Sequence, residues 1–137
     1  LLVAGVDEAG GHVYNISNPG GTFKDFKQIG YHAMGSGALH ALQAMIGMKH
    51  CGNRGLEETV FAVYIAKRRA EVAPGVGKDT DLAIITETGI TRLDDEHINE
   101  LESLYSEYQK SVDARIIDEL RKLELFSEEG EEVNEKE

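Results

Sequence analysis

Phe26-Lys27-Gln28-Ile29-Gly30-Tyr31-His32-Ala33-Met34-Gly35-Ser36-Gly37-Ala38-Leu39-His40-Ala41-Leu42-Gln43-Ala44-Met45-Ile46-Gly47-Met48 reads as a strand, a tight Gly-Ser-Gly turn and then a helix. The helix has apolar residues at Leu39, Leu42, Met45 and Ile46, the near 3.6-residue period of a buried face, with alanines beside them. Gly35 and Gly37 suit a backbone that turns at positive φ or lets another group come close. Ser36 between them is placed to cap the helix with its hydroxyl. The same hydroxyl, at the mouth of a strand-to-helix turn, is also a candidate for chemistry.

Around this stretch the composition sets bounds. A chain of 137 residues supports one domain with a core of its own. Cys51 is the only cysteine, so no disulfide can form within the chain, and a reduced thiol fits a cytoplasmic location. No apolar run approaches the roughly 20 residues needed to span a bilayer. No basic segment precedes an apolar stretch at the start, as a signal peptide would require. The chain opens with Leu1-Leu2-Val3-Ala4, without Met and already in strand-like sequence, which is the pattern expected of a piece of a longer protein.

The net charge of −11 is unevenly spread. Residues 1–93 hold nine basic and nine acidic side chains, whereas residues 94–137 hold five basic and sixteen acidic. Such local repulsion argues against nucleic acid and an anionic membrane surface as partners and says little about residues 1–93.

In chain order, residues 1–6 form a short apolar run ending in the turn cluster Asp7-Glu8-Ala9-Gly10-Gly11. Residues 12–17 alternate, with Val13, Asn15 and Ser17 on one face and His12, Tyr14 and Ile16 on the other. The spacing predicts an antiparallel hairpin with a five-residue loop. Asn18-Pro19-Gly20-Gly21 is a second turn, because Pro sets φ and Gly supplies positive φ. Strands followed by helices argue for an antiparallel sheet with packed helices, α+β in kind, and not for strand–helix alternation.

Residues 56–72 read as a helix with Glu57 and Glu58 in its first turn and Lys67, Arg68 and Arg69 near its last, each set matched to the helix dipole. Its centre, Val60 to Ala66, is apolar nearly all round and predicts cover on more than one side. Pro74-Gly75 ends it. A hairpin is expected over residues 81–93, turning at Glu87-Thr88-Gly89. Beyond the acidic cap Asp94-Asp95-Glu96, residues 94–126 carry apolar side chains at Ile98, Leu101, Tyr105, Tyr108, Val112, Ile116, Leu120 and Leu123. That is one long amphipathic helix, or two with a break near Ser111, packing on its own domain or on a partner. Residues 127–137 are expected to be an acidic disordered tail after a domain over residues 1–126.

Several motifs fall short of their chemistry. Gly35-Ser36-Gly37 lacks the third glycine of a dinucleotide loop, where His40 stands. It also lacks the glycine two residues before the serine of a nucleophile elbow, where Met34 stands. Gly75-Val76-Gly77-Lys78-Asp79-Thr80 has Asp79 where a phosphate loop needs Ser or Thr, and a strand follows it; a bend entering that strand is the expectation. His12, His32, His40, His50, His97 and Cys51 form no ligand pair on one helix face, so no metal and no cofactor is expected. The basic run at Lys67 is accounted for by the helix end.

The order of parts resembles the C-terminal portion of a proteasome-type subunit of the N-terminal-nucleophile hydrolases. The residues that carry this are Ala4-Gly5-Val6-Asp7-Glu8, then Tyr14 with Asn18-Pro19-Gly20-Gly21-Thr22-Phe23, then Met34-Gly35-Ser36-Gly37-Ala38. The coverage is residues 1–93, with the last helix as the family's terminal helix. The resemblance implies a four-layer αββα sandwich, an oligomer, and a threonine-type peptidase. Its nucleophile is an N-terminal Thr, Ser or Cys whose own amine serves as base. Two supporting positions carry over: Ser36, matching the serine near the nucleophile's amine, and Asp79, on the loop before the next strand, with Asp81 as its alternative. The nucleophile itself is not in this sequence, and the piece alone is expected to be inactive. Its expected partners are a second copy, the N-terminal segment and, in the intact parent, a peptide substrate. A non-catalytic assembly subunit of a similar ring and a small-ligand module are the alternatives.

Overall fold

The computed structural model describes residues 1–17 and 23–123. Its elements run β1 (Leu2–Asp7), β2 (Gly10–Ile16), β3 (Phe23–Asp25), α1 (Ala38–Gly47), α2 (Leu56–Ala70), β4 (Ala83–Thr86), β5 (Gly89–Arg92) and α3 (Asp95–Lys122). Mixed α and β structure with antiparallel pairing, as expected, takes the form of two small sheets ordered β1-β2-β3 and β4-β5. The contacts divide the chain into two compact units, Leu1–Leu101 and a second beginning at Glu102.

β1 and β2 pair from Leu2↔Asn15 to Asp7↔Gly10, so their loop is two residues long, not five. The Asp7 carboxylate accepts the Ala9 amide at 2.7 Å and stabilises the tight turn, and Gly10 closes it at φ +105. Gly10 and Gly11 therefore belong to the ladder despite their poor strand propensity. The expected alternation holds on one face, where the rings of His12 and Tyr14 stack with centroids 5.7 Å apart. β3 pairs with β2 through Tyr14↔Asp25 to Ile16↔Phe23. The turn expected at Asn18-Pro19-Gly20-Gly21 lies outside the described residues.

The third strand expected before the Gly-Ser-Gly turn is present as β3, but it ends at Asp25, and residues 26–34 carry no strand. Asp25 accepts the Lys27 amide at 2.8 Å, and Phe26 O accepts from both Ile29 N and Gly30 N. These local bonds turn the chain, with Gly30 at φ +82 against Gly52, whose Cα would lie 2.5 Å from a Cβ at Gly30. Local hydrogen bonding wins over the weak strand propensity here.

α1 and α2 pack through small side chains. Met45, Ala62 and Ala66 are buried together, with Tyr31, Ala41, Ala44 and Met48 around them. The face that α1 buries is thus the alanine side with Met45. Leu39 and Ile46, expected inside, are each 64% exposed. Ala41 and Ala44 allow α2 to approach closely, and that approach turns the two larger side chains outward. α2 buries Ala62, Tyr64, Ile65, Ala66 and Ala70, while Val63 stays partly exposed, and the helix ends before Val72, which is also exposed.

β4 and β5 pair from Ala83↔Arg92 to Thr86↔Gly89 around a two-residue turn, with Gly89 at φ +140. α3 begins as expected at Asp94, whose carboxylate accepts the His97 amide at 3.1 Å. It is unbroken at Ser111, whose hydroxyl donates to Tyr108 O. Its predicted end near residue 126 and the acidic tail lie outside the described residues.

Candidate functional site

The Gly-Ser-Gly turn and the loop after α2 both line a cleft of about 540 Å³. Its floor is apolar and small, from Ala41, Leu42, Met45, Val63 and Ala66. Its rim carries the polar groups: Tyr31, His32, Ser36, Lys67 and Asp79. The two sequence-predicted positions, Ser36 and Asp79, therefore line one cavity although 43 residues separate them in the chain. The alternative to Asp79, Asp81, is not part of its lining.

The two glycines of the turn do different work. Gly35 takes φ +95, which L side chains rarely adopt, with open space around it. Gly37 has an ordinary φ of −88 but is buried, and a Cβ there would meet Ala70 Cβ at 2.7 Å, Ala70 O at 3.0 Å and Val76 Cγ2 at 3.2 Å. One glycine bends the chain and the other lets the turn press against the end of α2. Gly37, not Ser36, is the N-cap of α1, and no side-chain hydrogen bond caps the helix. The expected Ser36 cap is thus overturned, because the serine lies one residue too early. Its side chain is instead exposed at the cleft.

The loop after α2 is shaped by Pro74 and by Gly75 at φ +80, with Val76 N donating to Ala73 O. It enters β4 as a bend, the form expected for this glycine-containing stretch. Lys67 holds it. The Lys67 ammonium donates to the Glu71 carboxylate, to Gly77 O at 3.2 Å and to Lys78 O. Arg68 binds the same carboxylate at 2.9 Å. The sequence assigned Lys67 only to the helix end; the i,i+4 spacing to Glu71 was the legible half of its role. Nothing local to Lys67 announces the two carbonyls ten and eleven residues on.

His32 was a candidate metal ligand from its type alone. It stacks on Phe26 with centroids 4.0 Å apart, and the Asn15 amide donates to its Nε2 at 2.9 Å. That contact makes Nε2 the acceptor and leaves the ring proton on Nδ1. The other histidine pairs lie away from the cleft. His12 Nε2 donates to Asp7 at 2.9 Å and its Nδ1 accepts from the Tyr14 hydroxyl at 3.0 Å. The His12 bond, with the Ala9 amide, holds the Asp7 carboxyl below its ordinary range. Burial, with the charge of Arg54, pushes His50 down. The bond to the Asp94 carboxylate raises His97, and the His97 backbone amide, followed by the His97 ring, lowers Asp94.

No helix among the described residues is long and apolar enough to cross a membrane. No protein-family model matches the chain. Over 89 residues, 65% of its length, the chain is 34% identical to proteasome subunit beta 2 of Haloarcula marismortui, and the match spans 37% of that protein. The chain thus spans well under half the length of this curated relative, and through most of its own length it is similar to a proteasome-type subunit.

Proposed function

We propose that the chain is the C-terminal part of a proteasome-like, threonine-type peptidase subunit, and that the cleft between Ser36 and Asp79 seats the amine of a nucleophile carried by a preceding segment. The observation that carries this is the joint lining of one cleft by the Gly-Ser-Gly turn and the loop of Asp79. An N-terminal Thr, Ser or Cys supplies both nucleophile and base. Its hydroxyl or thiol proton passes to its own α-amine as the oxygen or sulfur attacks the peptide carbonyl. The amine then protonates the leaving amino group, and water hydrolyses the acyl-enzyme. The exposed Ser36 hydroxyl can bond the amine, and the Asp79 carboxylate stabilises it when it is an ammonium. Neither residue cleaves a peptide by itself, so the piece alone is inactive.

The same proposal gives the apolar surface a use. Val3 and Val6 on β1 and Leu39 and Ile46 on α1 are exposed, as the inner faces of a four-layer sandwich would be without their covering strands and neighbouring subunits. A cytoplasmic ring of such subunits is the assembly proposed.

The test is made on the polypeptide that contains this chain. Its intact mass, mature N-terminal sequence and size in solution are measured, together with hydrolysis of a fluorogenic peptide. The expected result is an N-terminal Thr, Ser or Cys on a large ring, with Ser36→Ala and Asp79→Asn lowering kcat by about 10- to 100-fold. A different mature N-terminus on a ring without peptidase activity refutes the catalytic assignment and favours a structural subunit.

A further inference from the structure

We infer that Lys67 is the positioning residue of the cleft: its ammonium staples the loop over residues 75–79 to α2 and thereby keeps Asp79 on the cleft wall. The part concerning Asp79 rests on the proposed function, whereas the staple does not. An ammonium has three N–H donors, and here three acceptors meet it: the Glu71 carboxylate, Gly77 O and Lys78 O. Glu71 is held in turn by Arg68 and is 11% exposed, so its carboxylate is a fixed anchor on α2. The Glu71 carboxylate, at the C-cap of α2, is shared by Lys67 and Arg68, and the remaining donors of Lys67 go to backbone carbonyls of the loop. Those carbonyls belong to the two residues directly before Asp79.

Among the described residues, little else bonds the run from Gly77 to Asp79. Gly75 and Gly77 contribute no side chain, and Lys78 and Asp79 are exposed. Thr80 Oγ1 reaches Lys78 O only at 3.4 Å. Upstream, Val76 N is tied to Ala73 O. Removing the ammonium would therefore release Gly77 to Asp79 while leaving α2 and the first turn of the loop in place. Lys67 itself lines the cleft beside Asp79, so the staple lies inside the site it shapes. Its role is to place a group, and it is not offered as a base or a nucleophile.

The test is the backbone order parameter, read residue by residue from 15N relaxation by NMR on this chain. Lys67→Met keeps the length of the side chain and removes its donors. The order parameters of Gly77, Lys78 and Asp79 are expected to fall from about 0.85 to below about 0.6 while those at the centre of α2 stay at about 0.85. Lys67→Cys alkylated with 2-bromoethylamine rebuilds the ammonium at nearly the same reach. Made in a Cys51→Ser background, it is expected to restore the order parameters of the parent. Unchanged order parameters in Lys67→Met overturn the staple. An equal loss throughout α1 and α2 overturns it too, since the effect would then be general loosening.

The second readout is peptide hydrolysis by the longer parent. Lys67→Met and Asp79→Asn are expected to lower kcat without adding to one another, because the first acts through the second. Additive losses overturn positioning through Asp79. A parent with no peptidase activity removes the proposed function and leaves the order parameters to decide the staple.

Discussion

Gly37→Ala probes whether the Gly-Ser-Gly turn is held by its contact with α2. The backbone at Gly37, φ −88 and ψ 1, is open to alanine, so conformational strain is not at issue. The added Cβ would stand 2.7 Å from Ala70 Cβ, 3.0 Å from Ala70 O and 3.2 Å from Val76 Cγ2. Two of these neighbours belong to the last residue of a helix and cannot rotate away. Overpacking of this kind costs about 1–3 kcal/mol. Replacing glycine by alanine at an N-cap costs somewhat under about 1 kcal/mol more. The stiffer unfolded chain returns about 0.4–1 kcal/mol. The net is a destabilisation of about 2 kcal/mol, which lowers Tm by about 6–8 °C for a chain of this size. Urea unfolding followed by circular dichroism and tyrosine fluorescence measures it, the chain having no tryptophan. Ala70→Gly removes the nearest obstacle, so the double variant is expected to recover about 1 kcal/mol relative to the sum of the singles. Gly35→Ala is the contrast: with nothing within 4 Å but a φ of +95, it loses about 1–2 kcal/mol to the backbone alone, with no coupling to Ala70. Additivity between Gly37→Ala and Ala70→Gly, or a Gly37→Ala variant as stable as the parent, would refute the close-packed turn.

Ser36→Ala is expected to leave urea stability within about 0.5 kcal/mol of the parent, since the exposed hydroxyl caps nothing. Asp94→Ala, which removes a cap that the structure does contain, is expected to lower the urea midpoint and lose some helical ellipticity. The Asp94–His97 pair sets a pH window for the start of α3. His97 is raised, so its contribution is full below about 6.5 and fades as pH rises through the folded value. Asp94 is lowered, so its contribution is full above about 3.8 and fades as pH falls through its folded value. Helicity at the start of α3, followed by NMR shifts, should therefore be greatest between those limits and lose this pH dependence in Asp94→Asn. Met45→Ala is expected to destabilise by about 2 kcal/mol, the low end for a buried methionine, because Met45 already borders the open cleft.

How much of this was legible in the sequence depended on how local the cause was. The hairpin over β4 and β5, the α3 cap at Asp94 and the His12–Tyr14 face follow from residues within a few positions of each other. The face of α1 does not. A 3.6-residue period marks Leu39 and Ile46 as readily as Met45, and only the approach of α2 onto Ala41 and Ala44 decides which side is inside. The third strand stops at Asp25, short of the expected stretch, for a related reason. Apolar residues at Phe26, Ile29 and Tyr31 suit a strand, but Asp25 and Gly30 bend the chain first, through bonds to Lys27 and Phe26.

The site divides along the same line. The Gly-Ser-Gly turn was conspicuous, yet its chemistry depended on a register that one residue decides. With the cap at Ser36 the hydroxyl would be spent on the helix; with the cap at Gly37 it is exposed to the cleft. Gly37 is free to be the N-cap because the turn is held by packing on Ala70 and Val76 and does not depend on a side-chain bond. The same packing brings the turn to the loop that Lys67 holds. Two glycines, one bending and one admitting α2, thus release a serine from structural duty and leave it on the cleft that an aspartate also lines. A structural reading of Ser36 and a functional one are therefore separable by measurement: Ser36→Ala should leave folding intact, and Gly37→Ala should not.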